Sequence, residues 1–124
     1  VEPSQVRIRH ILLKHRDCKA PVDKVRGRPV ARSKAEAERQ LRKVLEECCE
    51  ADPQQRGALF TQHCRELSEC QSSRRGGDLT GDLAWVPKGK MGAGFDEAAF
   101  GLQVGQLSDL VESDAGIHVL WRTA

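Results

Sequence analysis

Arg9-His10-Ile11-Leu12-Leu13-Lys14-His15 and Gly116-Ile117-His118-Val119-Leu120-Trp121 stand near opposite ends of the sequence, and each sets a histidine inside a short apolar run. Their leucyl and β-branched neighbours predict strands with buried inward faces. A buried imidazole needs a partner for each ring nitrogen, and the simplest partner for one is the other. Two terminal strands paired in one sheet would let His10 and His118 meet and fix each other's tautomers. A lone strand histidine is more often a satisfied core residue, so the intervening sequence has to decide.

Residues 6–14 form the first predicted strand. The segment 15–32 contains Pro21, Gly27, Pro29 and many basic residues without an apolar period, and reads as a mobile loop. Ser33-Lys34-Ala35-Glu36 is a capping box, after which Ala37, Leu41, Val44, Leu45 and Cys48 recur at helical spacing until Asp52-Pro53. A second helix is predicted over 55–67, with Leu59, Phe60, Cys64 and Leu67 facing the core, and 68–75 adds a short helical turn. Glycines and aspartates crowd 76–83 before a strand at 83–86, ended by Pro87. A helix over 95–102 is broken at Gly105, and strands at 109–112 and 117–122 flank a turn at 113–116. The order predicts an α+β fold, βα3βαβ2, with helices covering a small mixed four-stranded sheet.

The 124 residues fit one domain, 1–124, with 1–5 as an N-terminal tail. No apolar run is long enough to cross a bilayer, and no basic-then-apolar leader opens the sequence. A net charge of +2 and a tyrosine-free set of three Phe and two Trp argue against nucleic-acid binding. Cys18, Cys48, Cys49, Cys64 and Cys70 are odd in number and contain no C-x-x-C, which argues against a disulfide framework and against a structural metal. A reducing compartment, cytoplasm or nucleus, is expected.

The order of Arg9-His10-Ile11-Leu12-Leu13-Lys14-His15, Ser68-Glu69-Cys70, Gly77-Asp78-Leu79, Gly89-Lys90-Met91, Phe95-Asp96-Glu97-Ala98-Ala99-Phe100 and Gly116-Ile117-His118-Val119 resembles that of the parvulin peptidyl-prolyl isomerases. The likeness spans residues 6–122. The cysteine at 70 and the basic loop after the first strand resemble the branch directed to phosphoserine- and phosphothreonine-proline. A WW module often precedes that domain, and none is present here.

The resemblance implies that Leu83, Met91 and Phe95 form a socket for the substrate proline, and that His10, Cys70, His118 and Ser113 line its polar floor. On spacing alone Met91 and Phe95 are ordinary core residues, and Cys70 an inert thiol. It implies a basic substrate-binding loop at 15–32, with Lys14 and Lys19 at phosphate-binding positions and Arg16 in support; Lys24, Arg26 and Arg28 are further candidates. Ala20 stands where a third cation is usual, and lysine grips phosphate as a point charge rather than a fork. Gly-Asp-Leu occurs at both 77–79 and 81–83, an insertion beside the site; Leu83, which leads into a strand, is preferred to Leu79 for the socket. Gly92 and Ala115 replace residues that carry hydrogen-bonding side chains in relatives.

The function expected is cis/trans isomerisation of X–Pro bonds, especially after phosphoserine or phosphothreonine, by a monomer with no cofactor and no metal. Two readings compete with it: a phosphopeptide-binding module with little turnover, and an isomerase indifferent to phosphate. A cysteine hydrolase built on Cys70 with His10 or His118 lacks a recognisable oxyanion segment and carboxylate partner.

Overall fold

The computed structural model describes residues 3–124. Of the expected tail, residues 1 and 2 lie outside the described residues, and Gln5 already begins strand β1 (Gln5–Leu13). Strand β1 is central in a sheet ordered β4-β1-β6-β5, where β4 is Asp82–Pro87, β5 is Val111–Ser113 and β6 is Gly116–Arg122. All three pairings are antiparallel, which corrects the mixed sheet expected from the element order. Two helices, not one, follow β1: helix α1 (Lys34–Glu50) runs back and helix α2 (Pro53–Leu67) returns, so β4 enters from the end where β1 left. A single crossover helix would have given a parallel pair.

Helix α1 begins where the capping box predicts: the Ser33 hydroxyl accepts from the Glu36 amide, and the Glu36 carboxylate accepts from the Ser33 amide. The Asp52-Pro53 pair that ends this helix also starts the next. Asp52 caps α2 through the Gln54 amide, and Pro53 takes the first helical position, where a missing N–H costs nothing. Ala37, Leu41, Val44 and Phe60 of these helices bury against Ile11, Leu13, Ile117 and Val119 on one sheet face. On the other face, helix α3 (Ala93–Gly101) packs Phe95 and Ala99 against Val6, Ile8, Val86 and Leu120.

The segment 15–32 has more structure than its composition suggested. Strands β2 (Val22–Asp23) and β3 (Arg28–Pro29) form a small antiparallel ribbon within it.

Strand β4 carries an irregularity that bears on the site. Arg7 faces Trp85 but Arg9 faces Asp82, so one extra residue stands in β4. Ala84, at φ 60°, is the sole non-glycine with positive φ among the described residues. A bulge of this kind shifts the alternation of side chains. It lets Leu83 and Val86, three apart, share the α3 face, while Asp82 reaches Arg7 on the opposite face.

Candidate active site

His10 of β1 and His118 of β6 are diagonal neighbours on one sheet face, since Leu12 is the residue directly opposite His118. Their Nδ1 atoms lie 3.0 Å apart, and the rings stack with centroids at 5.2 Å. One Nδ1 must donate and the other accept. His118 Nε2 lies 2.5 Å from the Ser113 hydroxyl, and that oxygen also accepts from the Ala115 amide. Ser113, His118 and His10 thus form a continuous chain of polar contacts that ends at His10 Nε2, a buried atom with no partner among the described residues. Burial pushes the His10 imidazole down to about 4. Burial, and then the neighbouring His10, hold His118 well below its ordinary value. Both rings are therefore neutral near pH 7.

Phe95 is 1% exposed, and its ring meets His118 edge-on at 5.6 Å. Met91 and Leu83 are half-buried and pack on the same cluster as Phe95. Leu79 lies elsewhere, with Arg9 and Trp121 along a cleft on the face that α2 covers. The structure thus brings His10, His118 and Ser113 into one relay beside an apolar group formed by Leu83, Met91 and Phe95.

Cys70 is tied to β1 through the two residues before it. Where β4 stops covering β1, residues 68–69 take over: the Leu12 amide donates to the Ser68 hydroxyl, the Glu69 amide to the Leu12 carbonyl, and the Lys14 amide to the Glu69 carboxylate. Cys70 follows at once, half-buried, with the Ser72 hydroxyl donating to its sulfur at 3.2 Å. Among the described residues no hydrogen bond joins Cys70 to either imidazole, so no base stands ready to activate the thiol. Cys64 is also nearby, but burial pushes its thiol up to about 11 and it donates to the His10 carbonyl.

The cations sort differently from their order in the sequence. Lys14 is 7% exposed and its ammonium donates to the Ala20 and Val22 carbonyls, tying the basic segment to β1. Arg26 is paired with Asp23 and hydrogen-bonded to carbonyls at the end of α2. Arg75 pairs with Asp82, and Arg74 donates to the Arg65 carbonyl. Arg16, Lys19, Lys24 and Arg28 are exposed, and their side chains make no hydrogen bond or ion pair among the described residues. Lys19 and Ser113 line one concavity of about 350 Å³, together with His15, Asp17, Cys18, Glu112 and Asp114. The Lys19 amide is fixed there by the Asp114 carbonyl. Sequence reasoning missed Glu69 and Ser72 as supports of Cys70; the Ser68-Glu69-Cys70 motif marks the place but not the bonds it makes to β1. No group of His, Cys, Asp and Glu suited to hold a metal occurs among the described residues.

A family model for the PPIC-type PPIase domain, the rotamases, matches residues 10–124. The chain is 38% identical over 120 residues to the buparvaquone-resistant peptidyl-prolyl cis-trans isomerase NIMA-interacting 1 of Theileria annulata, covering 97% of this chain and 80% of that protein. It is 38% identical over 120 residues to the peptidyl-prolyl cis-trans isomerase ESS1 of Saccharomyces cerevisiae, covering 97% of this chain and 66% of that one. Among solved structures, the peptidyl-prolyl isomerase ESS1 from Candida albicans superposes with a TM-score of 0.82 at 32% identity, over 98% of this chain and 63% of that chain. With the relay, the apolar group and the all-antiparallel sheet in place, the chain belongs to the PPIC-type rotamase family and is a peptidyl-prolyl cis-trans isomerase domain.

Proposed function

We propose that the domain isomerises X–Pro bonds without covalent chemistry, preferring phosphoserine or phosphothreonine before the proline. The reading is carried by the neutral Ser113–His118–His10 chain set edge-on against Phe95. Rotation about an X–Pro bond breaks no bond; its barrier of about 18–20 kcal/mol is amide resonance. A catalyst must favour the twisted amide over both planar forms. The twisted form has lost resonance and carries a smaller dipole, so a desolvated site with neutral polar groups suits it better than water does. Leu83, Met91 and Phe95 would hold the proline ring while the preceding carbonyl turns across the floor formed by His10, Cys70, His118 and Ser113. Lowering the barrier by about 5 kcal/mol speeds exchange by roughly 10³ to 10⁴.

For phosphate, Lys19 supplies the charge beside Ser113 and Arg16 the nearest additional guanidinium in sequence, with Lys14 as the strut beneath them. Asp17, Asp114 and Glu112 line the same concavity and temper its field. That mixture, with Ala20 lacking a charge and the Lys14 ammonium already holding two carbonyls, favours as second reading an isomerase indifferent to phosphate. The protein acts as a monomer on proline-containing protein substrates in the cytoplasm or nucleus, without cofactor or metal.

Exchange NMR on Glu-Pro, Ala-Pro, phosphoSer-Pro and phosphoThr-Pro peptides tests the proposal. Faster exchange of the phosphopeptides supports it. Equal acceleration of all four selects the second reading, and binding without acceleration would mean a passive phosphopeptide module.

A further inference from the structure

The basic segment meets the last turn of helix α2 at the Arg26 side chain. Asp23, 1% exposed, closes the turn between β2 and β3 by accepting from the amides of Val25 and Arg26, and its other oxygen accepts from the Arg26 guanidinium at 3.1 Å. So held, the guanidinium turns to α2 and donates to the carbonyls of Ser68, Arg65 and Glu66. These belong to the final turn and cap of the helix, whose carbonyls lack partners within it and gather the negative end of its dipole. A planar fork with five donors on a buried carboxylate can satisfy several of them at once. Cys70 lies two residues beyond Ser68.

Other bonds run alongside. Gln71, next after Cys70, donates its side-chain amide to the Lys24 carbonyl within the same turn. Arg32, at the exit of the basic segment, pairs with Glu69 at 2.5 Å and donates to the Lys14 carbonyl. The segment is therefore pinned to the stretch 65–71 on one side and, through the Lys19 amide and the Asp114 carbonyl, to the β5–β6 turn on the other. Lys19 and Cys70 lie at the two edges of this bridge.

We infer that Arg26 is a positioning residue for the isomerase: clamped by Asp23, it locks the basic segment onto the end of α2 and so fixes how far the Lys19 charge stands from the Cys70 side of the site. The inference rests on the phosphate-directed reading for its effect on substrates, though not for the lock itself. A substrate spans both ends at once, with its anion on the segment and its proline on Phe95. Releasing the lock leaves the floor around His10 and His118 intact but lets the anion-holding end wander, which weakens binding of the long substrate more than turnover once bound.

Three variants of the full chain test this: Arg26→Ala, Arg26→Lys and Asp23→Asn, each assayed for kcat and KM on phosphoSer-Pro and Ala-Pro peptides, with amide exchange of Val22, Gly27 and Val30. For Arg26→Ala we expect those amides to exchange at least about tenfold faster, KM for the phosphopeptide to rise several-fold, and kcat on Ala-Pro to hold. Arg26→Lys, which reaches fewer carbonyls, should restore part of the KM, and Asp23→Asn should resemble Arg26→Ala. A mere helix cap would lower the melting temperature of Arg26→Ala and leave KM unmoved, and that result overturns the inference. Unchanged amide exchange in a folded Arg26→Ala protein overturns it as well. If the wild type shows no phosphate preference, the phosphate reading fails; the lock is then supported by faster exchange with a higher KM for Ala-Pro, and overturned by faster exchange with every KM unchanged.

Discussion

At the scale of single residues, the site holds two imidazoles kept neutral by burial. Because the folded-state pKa of His10 is pushed down to about 4, the unfolded chain binds a proton at this residue before the folded chain does. Between about pH 6.5 and 4 the unfolded state therefore holds more protons, and stability falls as pH falls across that window. For His10 alone the loss amounts to about 3 kcal/mol by pH 4, and His118 shifts in the same direction. Urea denaturation at pH 7.5, 6 and 5 should show a steady decline, and a flat profile would mean that the imidazoles are not held neutral. Cys70→Ser should keep at least about a tenth of wild-type turnover, since a hydroxyl is polar but a far poorer nucleophile than a thiolate. Complete loss in a folded Cys70→Ser protein, with a trapped adduct in the wild type, would point to covalent chemistry. On the proposed socket role, removing the Phe95 ring should slow every proline peptide alike, phosphorylated or not, by at least about tenfold. A loss confined to phosphopeptides would take Phe95 out of that role.

At the scale of elements, β4 and the turn before it show how backbone geometry delivers side chains. Ala84 holds a left-handed conformation that costs an L-residue about 1 kcal/mol, so Ala84→Gly should leave the fold intact and stabilise it by up to that amount in a thermal melt. Gly81 has φ 81°, and a Cβ there would lie 2.6 Å from the His10 carbonyl oxygen and 2.8 Å from the Cys64 sulfur. Gly81→Ala should therefore destabilise by roughly 2–4 kcal/mol, and since Gly81 also accepts from the His10 amide, activity should fall with it. The capping box at Ser33, the Asp52-Pro53 junction and the final hairpin were legible because each rests on neighbours in sequence. The bulge was not, because Asp82-Leu83-Ala84-Trp85 reads as plain alternation with no glycine to mark the extra residue. The β2–β3 ribbon was equally hidden, its order coming from Asp23, Arg26 and Lys14 bonding to distant or backbone partners rather than from an apolar period.

At the scale of the whole molecule, the histidines and the apolar group of Leu83, Met91 and Phe95 were readable as motifs, whereas the fate of the cations was not. Nothing in the order Lys14, Arg16, Lys19, Arg26 tells which charges face solvent and which are absorbed by carbonyls; only the closed segment decides that. It leaves Lys19 as the charge beside Ser113, so Lys19→Ala should erase most of any advantage of phosphoSer-Pro over Ser-Pro while Ala-Pro turnover holds. Because that charge is exposed, the wild-type advantage should also shrink as salt is raised from 50 to about 500 mM, where the screening length falls below about 5 Å. A salt-independent preference would place the anion in a drier pocket.

The sheet order has a consequence for how the protein comes into being. Strand β1 is made first and lies in the centre, but β6, which carries the second imidazole 108 residues later, is made last. During synthesis the central strand must wait for its β6 partner until nearly the whole domain has emerged, and closing so long a loop makes folding a matter of milliseconds to seconds. A peptidyl-prolyl isomerase domain is thus, at its own birth, a chain whose central strand lacks a partner.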